Sequence, residues 1–311
     1  MKILIVDEMH ESIVRMPEEL GLDVDYFPKI SFQEVLEKVG EYEGLIIRSK
    51  FNIDANFLSH APKLKFIGRA GAGLDLIDTK ACERHNIAVF GANEANKVAV
   101  SEHLIGMILS LLHRIVKADS EVRKGQWFRE ENRAEELFGK KVGLIGYGNN
   151  GQATAERLAA FGCQIYAYDK YKYGFGNHLV TECTLETIFE EAEIVSLHIP
   201  LTDETVNWFN EDLIQKFKKD FFFCNIARGE IANLSDVVNG LKSGKIRGAC
   251  LDVIENEKLG TLSPSQKITF DDLVSFPNVI ITPHVAGWSN ESYVKINNVL
   301  RDKIKRFLGH I

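Results

Sequence analysis

The sequence predicts an α/β protein made of two doubly wound parallel-sheet domains. Short β-type runs alternate with amphipathic helical stretches along the chain, the pattern of a parallel sheet covered by helices. The runs fall into two groups separated by a long apolar helix. A chain of 311 residues also exceeds one comfortable core, so two domains are expected.

The first group of strands is "ILIV" (3–6), "DVDYF" (23–27), "GLII" (44–47), "LKFIG" (64–68) and "AVF" (88–90). Amphipathic segments such as "SFQEVLEKV" (31–39) and "IDTKACERH" (77–85) lie between them. A longer helix over 102–116 follows, with Leu104, Ile105, Ile108, Leu112, Ile115 and Val116 at spacings of three and four, and with Ser101 as its start. The second group is "KVGLI" (141–145), "QIYAY" (164–168), "EIVSL" (193–197), "FFFCN" (221–225), "GACLD" (248–252) and "NVIIT" (278–282). No Gly/Ser linker divides the groups, so the boundary is placed near residue 97. The closing amphipathic stretch "SYVKINNVLRDKIKRFLG" is expected to return to the first group. One domain is then discontinuous, 1–97 plus 289–311, and 98–288 is the other.

Bulk properties exclude several function classes. A net charge of −7 lacks the basic footprint that phosphate backbones require, so nucleic acid is not the expected partner. The opening "MKILIVDE" reads as a strand rather than a signal peptide. The longest apolar stretch, "LIGMILSLL" (104–112), is far short of the roughly 20 residues of a membrane span. Five scattered cysteines (Cys82, Cys163, Cys183, Cys224, Cys250) show no metal-type spacing. They read as buried free thiols of a reducing cytoplasm, with no metal centre and no membrane partner.

The most informative short stretch is "GLIGYGNNG" (143–151). Its glycines, Gly146, Gly148 and Gly151, follow a strand and open an alanine-rich helix. The next strand ends at Asp169, 23 residues beyond Gly146. This strand–turn–helix–strand–acid unit is the Rossmann dinucleotide fingerprint. Gly146 permits the tight turn, Gly148 lets backbone approach a pyrophosphate, and Gly151 allows close packing of the helix. Free N–H groups at the helix start, from Asn149 and Asn150 onward, favour the anion. Asp169 can accept hydrogen bonds from both ribose hydroxyls and would repel a 2′-phosphate, so NAD is the expected cofactor. Lys170 and Lys172 follow it and work against that discrimination.

Open α/β sheets present ligands at the carboxyl ends of their strands. Arg228 lies past "FFFCN", Asp252 ends "GACLD" with Glu255 and Glu257 beyond it, and His284 lies past "NVIIT". Arginine, glutamate and histidine thus gather on the rim that holds the cofactor. The set suits hydride transfer to a carbonyl. An imidazolium supplies the proton, a guanidinium grips a neighbouring carboxylate while polarising the carbonyl, and a carboxylate orients the histidine. Spacing alone leaves Glu255 and Glu257 as equal candidates.

These stretches, with "RAGAGLDLID" (69–78), "HIPLTDET" (198–205), "NIARGE" (225–230), "GACLDVIENE" (248–257) and "TPHVAG" (282–287), make the chain recognisable. It resembles the D-isomer-specific 2-hydroxyacid dehydrogenases over nearly its whole length, and within them the D-3-phosphoglycerate dehydrogenases. The resemblance implies a Rossmann cofactor domain, a flavodoxin-like substrate domain and a cytoplasmic homodimer. It makes His284 the acid/base, Glu257 its carboxylate partner and Arg228 the substrate-carboxylate clamp. It adds His198, Pro200, Thr205, Ala227, Asp252, Ala286 and Gly287 to the cofactor side. On the substrate side it places Arg48, Ser49 and Asn96, and a carboxylate nest formed by the backbone of Gly71, Ala72 and Gly73.

The implied reaction joins 3-phosphoglycerate to 3-phosphohydroxypyruvate, a step of serine biosynthesis. Arg48, Lys50, Arg69 and Lys97 are expected to offer cations to the phosphate. Hydroxypyruvate or glyoxylate reduction is the alternative, and an NAD-sensing co-repressor-like protein a rival from another class. Asn149 and Asn150 depart from the family's common Arg-Ile, Lys258 from a proline, and Trp288 from a small residue. No regulatory domain trails the catalytic stretches, so serine feedback through one is not expected.

Overall fold

The computed structural model describes residues 1–71 and 73–309. Within them the chain forms two compact units, Met1–Asn96 with the segment from Trp288 onward, and Lys97–Gly287.

The first unit is built from β1 (Lys2–Ile5), α1 (Glu11–Glu19), β2 (Asp23–Tyr26), α2 (Phe32–Lys38), β3 (Gly44–Ile47), α3 (Ala55–Ser59), β4 (Phe66–Arg69), α4 (Thr79–Arg84) and β5 (Ala88–Phe90). Its five strands are parallel in the order β2-β1-β3-β4-β5, the flavodoxin-like winding. Capping residues set the helix starts. Ser31 and Glu34 form a reciprocal capping box before α2, and Asp54 and Asp78 accept the N3 backbone N–H of α3 and α4. Strands β1 and β3 are almost wholly buried, as a sheet covered on both faces requires.

The second unit continues with α5 (Lys97–Leu112), α6 (Ile115–Arg123), β6 (Lys141–Ile145), α7 (Asn149–Ala160), β7 (Gln164–Tyr168), β8 (Val180–Glu182), α8 (Leu185–Glu191), β9 (Ile194–Leu197), α9 (Glu211–Ile214), β10 (Phe221–Asn225), α10 (Leu234–Ser243), β11 (Ile246–Leu251), α11 (Pro264–Ser275) and β12 (Val279–Ile281). Seven parallel strands run β12-β11-β10-β9-β6-β7-β8. Counted from β6, this is the 3-2-1-4-5-6 Rossmann order with one strand added at the far edge. The last helix, α12 (Asn290–Phe307), belongs to the first unit. There its Ile296, Leu300 and Ile304 join the core of Ile3, Ile5 and Phe66. Leu300 lies against Gly68 of β4, where a Cβ would come within 3.1 Å of it.

Two expectations about the long helix are corrected. It begins at Lys97, and Ser101 lies inside it, fully buried, with its hydroxyl bonded to the carbonyls of Lys97 and Val98. A serine can satisfy itself on the preceding turn and so imitate a cap in sequence. The helix also stops at Leu112. Arg114 takes a left-handed φ of 54° and α6 starts afresh, which leaves Ile115 and Val116 exposed rather than in the core. Strand β8 was not foreseen, because three edge residues carry too little pattern.

Among the described residues no single helix is long and apolar enough to cross a membrane. Helices α5 and α6 reach that length only as a pair bent by 61°, and the apolar residues of α5 fill the core of the second unit. All five cysteines are free. Burial pushes the thiols of Cys82, Cys163 and Cys183 up to about 11, so they stay protonated and unreactive at neutral pH.

Candidate active site

The glycine turn has the geometry of a phosphate cradle. Gly146 sits at φ 101°, and a Cβ there would meet the His198 carbonyl oxygen at 2.6 Å. Gly151 lies under the turn, where a Cβ would fall 2.3 Å from the Gly146 carbonyl oxygen, so this glycine packs the helix on the turn itself. Above Gly148, which N-caps α7 without any side-chain bond, a Cβ would meet nothing within 4 Å. A cap that offers no side-chain acceptor leaves the first N–H groups of the 12-residue α7 to an outside anion. Asn150 Oδ1, Thr154 Oγ1 and His198 Nδ1 are buried and find no partner among the described residues. Of these, Asn150 lies in the first turn of α7, where a bound dinucleotide could supply the missing partner.

Asp169 follows β7 and accepts three backbone N–H groups. Its Oδ2 accepts from Tyr147 N–H (2.8 Å), and its Oδ1 from Tyr171 (3.0 Å) and Lys172 (3.1 Å). Lys170 is drawn away to Glu204, and Lys172 Nζ donates to the Tyr147 carbonyl at 3.3 Å. His198, at the exit of β9, is pushed down to about 4 by burial and is neutral at pH 7. Its Nε2 lies 3.0 Å from Ser196 Oγ. The Thr205 hydroxyl closes its own loop on the carbonyls of Pro200 (2.8 Å) and Thr202 (3.2 Å).

The catalytic candidates leave three adjacent strands that end level. Asn225, Leu251 and Ile281 are in register across β10, β11 and β12, and neighbouring strands lie about 4.8 Å apart. Past β10, buried Asn225 ties the turn with bonds to Arg228 O (2.9 Å) and Ala227 N–H (3.1 Å). Arg228 itself donates to Ala227 O at 2.7 Å. The next residue, Gly229, touches the following loop so closely that a Cβ would lie 2.0 Å from the Ile254 carbonyl. That contact sets the Arg228 turn against the loop that leads to Glu257.

Geometry separates the two glutamates. Glu255 Oε1 accepts Leu234 N–H at 2.6 Å and serves α10, whereas Glu257 lies 2.9 Å from His284 Nδ1. Both members of that pair are half exposed, His284 at 45% and Glu257 at 46%, so the histidine is reachable. His284 takes a left-handed φ of 55°, a costly conformation outside glycine that persists where surroundings enforce it. The enforcing group is Asp252, 1% exposed. Its Oδ1 accepts Thr282 Oγ1 (2.6 Å) and Val285 N–H (2.9 Å), and its Oδ2 accepts Ala286 N–H (2.8 Å). His103 on α5 lies 3.0 Å from Thr282 Oγ1 through its Nε2. A cavity of about 370 Å³ opens beside the pair, lined by Asp252, Val253, Glu257, Leu259, Phe270 and His284 among others.

In the first unit, the substrate-side candidates follow β3, β4 and β5. Asp7, after β1 and only 6% exposed, accepts the consecutive N–H groups of Arg48 (2.6 Å), Ser49 (3.0 Å) and Lys50 (3.3 Å). Arg69 reaches from Arg48 O (3.0 Å) to Gly73 O and braces one loop on the other. Among the described residues Asn96 Oδ1 is buried and has no hydrogen-bond partner. In the expected nest, Gly71 N–H is donated to Arg69 O at 2.8 Å, and Ala72 lies outside the described residues. The expected row of cations is also thinner than the sequence suggested. Lys50 Nζ turns inward onto the carbonyls of Val6 and Pro28, and Arg69 spends donors on backbone. Asp7, His103, Asn225 and Thr282 were not singled out in the sequence, because which groups a side chain bonds to depends on its direction, which spacing does not show.

Comparison with known proteins completes the description. Residues 105–286 match the D-isomer specific 2-hydroxyacid dehydrogenase, NAD binding domain. The chain is 33% identical over 99% of its length to a D-3-phosphoglycerate dehydrogenase of Methanocaldococcus jannaschii, of which it spans 57%. It is 33% identical over 98% of its length to a hydroxypyruvate reductase of Thermotoga maritima, covering 96% of that protein. Its structure overlays D-lactate dehydrogenase from Aquifex aeolicus, solved with NAD and lactic acid, with a TM-score of 0.85 at 26% identity over 99% of this chain and 96% of the other. The chain belongs to the D-isomer specific 2-hydroxyacid dehydrogenase family.

Proposed function

We propose that the protein interconverts a small D-2-hydroxy acid and its 2-keto acid with NAD. The observation that carries this reading is the His284–Glu257 pair, set on the same strand-end rim as Arg228 and in the same unit as the glycine cradle. The nicotinamide cofactor, when bound, carries the hydride. Glu257 engages His284 Nδ1, which leaves Nε2 to hold the proton that a carbonyl oxygen receives on reduction or a hydroxyl gives up on oxidation. Arg228 pairs with the substrate carboxylate through parallel N–H donors and polarises the adjacent carbonyl. The cofactor is held by Gly146, Gly148, Asn149, Asn150 and Gly151 at the phosphates and by Asp169 at the ribose, with His198, Pro200, Thr205, Ala227, Asp252, Ala286 and Gly287 around it.

For the substrate, 3-phosphoglycerate is proposed, with Arg48, Ser49, Gly71, Gly73 and Asn96 on its side. Arg48 is the group that supports an anionic tail. A second reading, hydroxypyruvate or glyoxylate, is favoured by the inward turn of Lys50 and Arg69, which removes two of the four cations foreseen for a phosphate. A homodimer is proposed on an exposed apolar face. Ile115, Val116, Val122, Trp127 and Phe128 are all between 44% and 79% exposed, on α6 and the segment that folds back to it through Asn132.

A panel of 2-keto acids with NADH tests the reaction, 3-phosphohydroxypyruvate turning over faster than glyoxylate under the first substrate reading and slower under the second. His284→Ala should lower kcat by roughly two to four decades, and Glu257→Gln by about tenfold through loss of the orienting negative charge. Unchanged turnover in His284→Ala would refute the assignment.

Cofactor choice is a separate expectation. The native protein should favour NADH over NADPH, and Asp169→Ala should shrink that preference by about tenfold or more. Equal kcat/KM for the two cofactors in the native protein would exclude Asp169 as the discriminating group. Light scattering should return twice the chain mass, and Trp127→Glu should shift it toward one chain; a native monomer at micromolar concentration contradicts the dimer.

A further inference from the structure

Trp288 stands where the sequence departs from the family pattern, and the first unit gives it two neighbours of interest. Helix α12 opens with Ser289 as N-cap in a reciprocal box with Ser292. The residue before the cap, Trp288, faces the fourth helical residue, Tyr293, with ring centroids 5.2 Å apart. That is a hydrophobic staple, which fixes the angle at which the chain enters the helix. A staple needs only an apolar contact, and aliphatic residues supply it well. Here the indole stays 60% exposed, and the Arg48 guanidinium carbon lies 5.6 Å from its ring centroid. Arg48 Nη1 also donates to Tyr293 Oη at 3.4 Å. His10 packs edge-on against the other side of Tyr293, centroids 5.4 Å apart.

Arg48 is therefore held at both ends. Its N–H is fixed by Asp7 and its carbonyl by Arg69, while the guanidinium lies over the Trp288 ring and donates to the Tyr293 hydroxyl. Among the described residues no carboxylate pairs with it. A guanidinium has five N–H donors, and the bond to Tyr293 uses one. Holding the side chain in place before an anion arrives removes much of the rotamer entropy lost on binding.

We propose that Trp288 and Tyr293 are positioning residues that present Arg48 as a preset fork for an anionic substrate tail, a phosphate or a carboxylate. This rests on the reading of the protein as a 2-keto acid reductase. The test compares kcat/KM for 3-phosphohydroxypyruvate with that for tail-less glyoxylate. Trp288→Leu keeps an apolar staple and removes the aromatic face; Tyr293→Phe keeps the ring and removes the hydroxyl. Each should lower the ratio of the two kcat/KM values by about three- to tenfold, through KM for the tailed substrate, as loss of one cation–π or hydrogen-bond contact implies. A ratio unchanged in both variants, or a parallel fall for both substrates, overturns the proposal and makes the pair a staple only. If Trp288→Leu does not fold, Tyr293→Phe decides alone. Should the native protein reduce no 2-keto acid at all, the functional reading fails separately, and tryptophan fluorescence titrated with inorganic phosphate still reports on the fork. A saturable change that Arg48→Met abolishes supports it, and no change overturns it.

Discussion

One buried carboxylate, Asp252, holds together the strand exits that carry the proposed catalytic residues of the second unit. It sits at the exit of β11 with almost no exposure, and burying such a charge is costly unless every lone pair finds a donor. The donors come from the next strand's exit, Thr282, Val285 and Ala286. Because those N–H groups must point at Asp252, the intervening backbone turns through the left-handed conformation seen at His284. The imidazole is thereby aimed at Glu257. Charge-assisted bonds of this kind contribute about 1.5–3 kcal/mol each, enough together to outweigh the strain of about 1–3 kcal/mol at one residue.

The same device recurs at the carboxyl edges of both sheets. Asp7 collects three consecutive N–H groups of the loop that bears Arg48, and Asp169 collects one from the glycine turn and two from its own loop. In each case a strand-end aspartate converts a flexible loop into a fixed one. Fixed loops are what hydride and proton transfer need, since small misplacements of reacting groups cost rate steeply. The contact of Gly229 with Ile254 does the same work by shape, because it tolerates no side chain between the two loops.

Much of this was legible from sequence, for identifiable reasons. Parallel strands buried on both faces give continuous apolar runs, so both sheets could be read except for β8, whose three residues lie at an edge. The glycine motif and the residues past β10, β11 and β12 were visible because strand ends are where open sheets do chemistry. Spacing could not choose between Glu255 and Glu257, and only the fold shows the first bonded to α10 and the second to His284. Side-chain direction was also hidden. Lys50 looked like a loop cation and is bonded to two backbone carbonyls, and Ser101 looked like a cap and lies inside a helix. Arg114 ends α5 in a conformation that its residue type does not advertise.

The central claim is that Asp252 acts by holding the His284 loop. Asp252→Asn keeps the volume but replaces one acceptor oxygen by a donor that faces either backbone N–H groups or the Thr282 hydroxyl. The most direct measurement is kcat of this variant with saturating NADH and 2-keto acid, beside its melting temperature. The account predicts a protein that still folds but turns over about a hundredfold more slowly, the usual effect of displacing a reacting group by about 1 Å. Turnover within twofold of the native protein would contradict it.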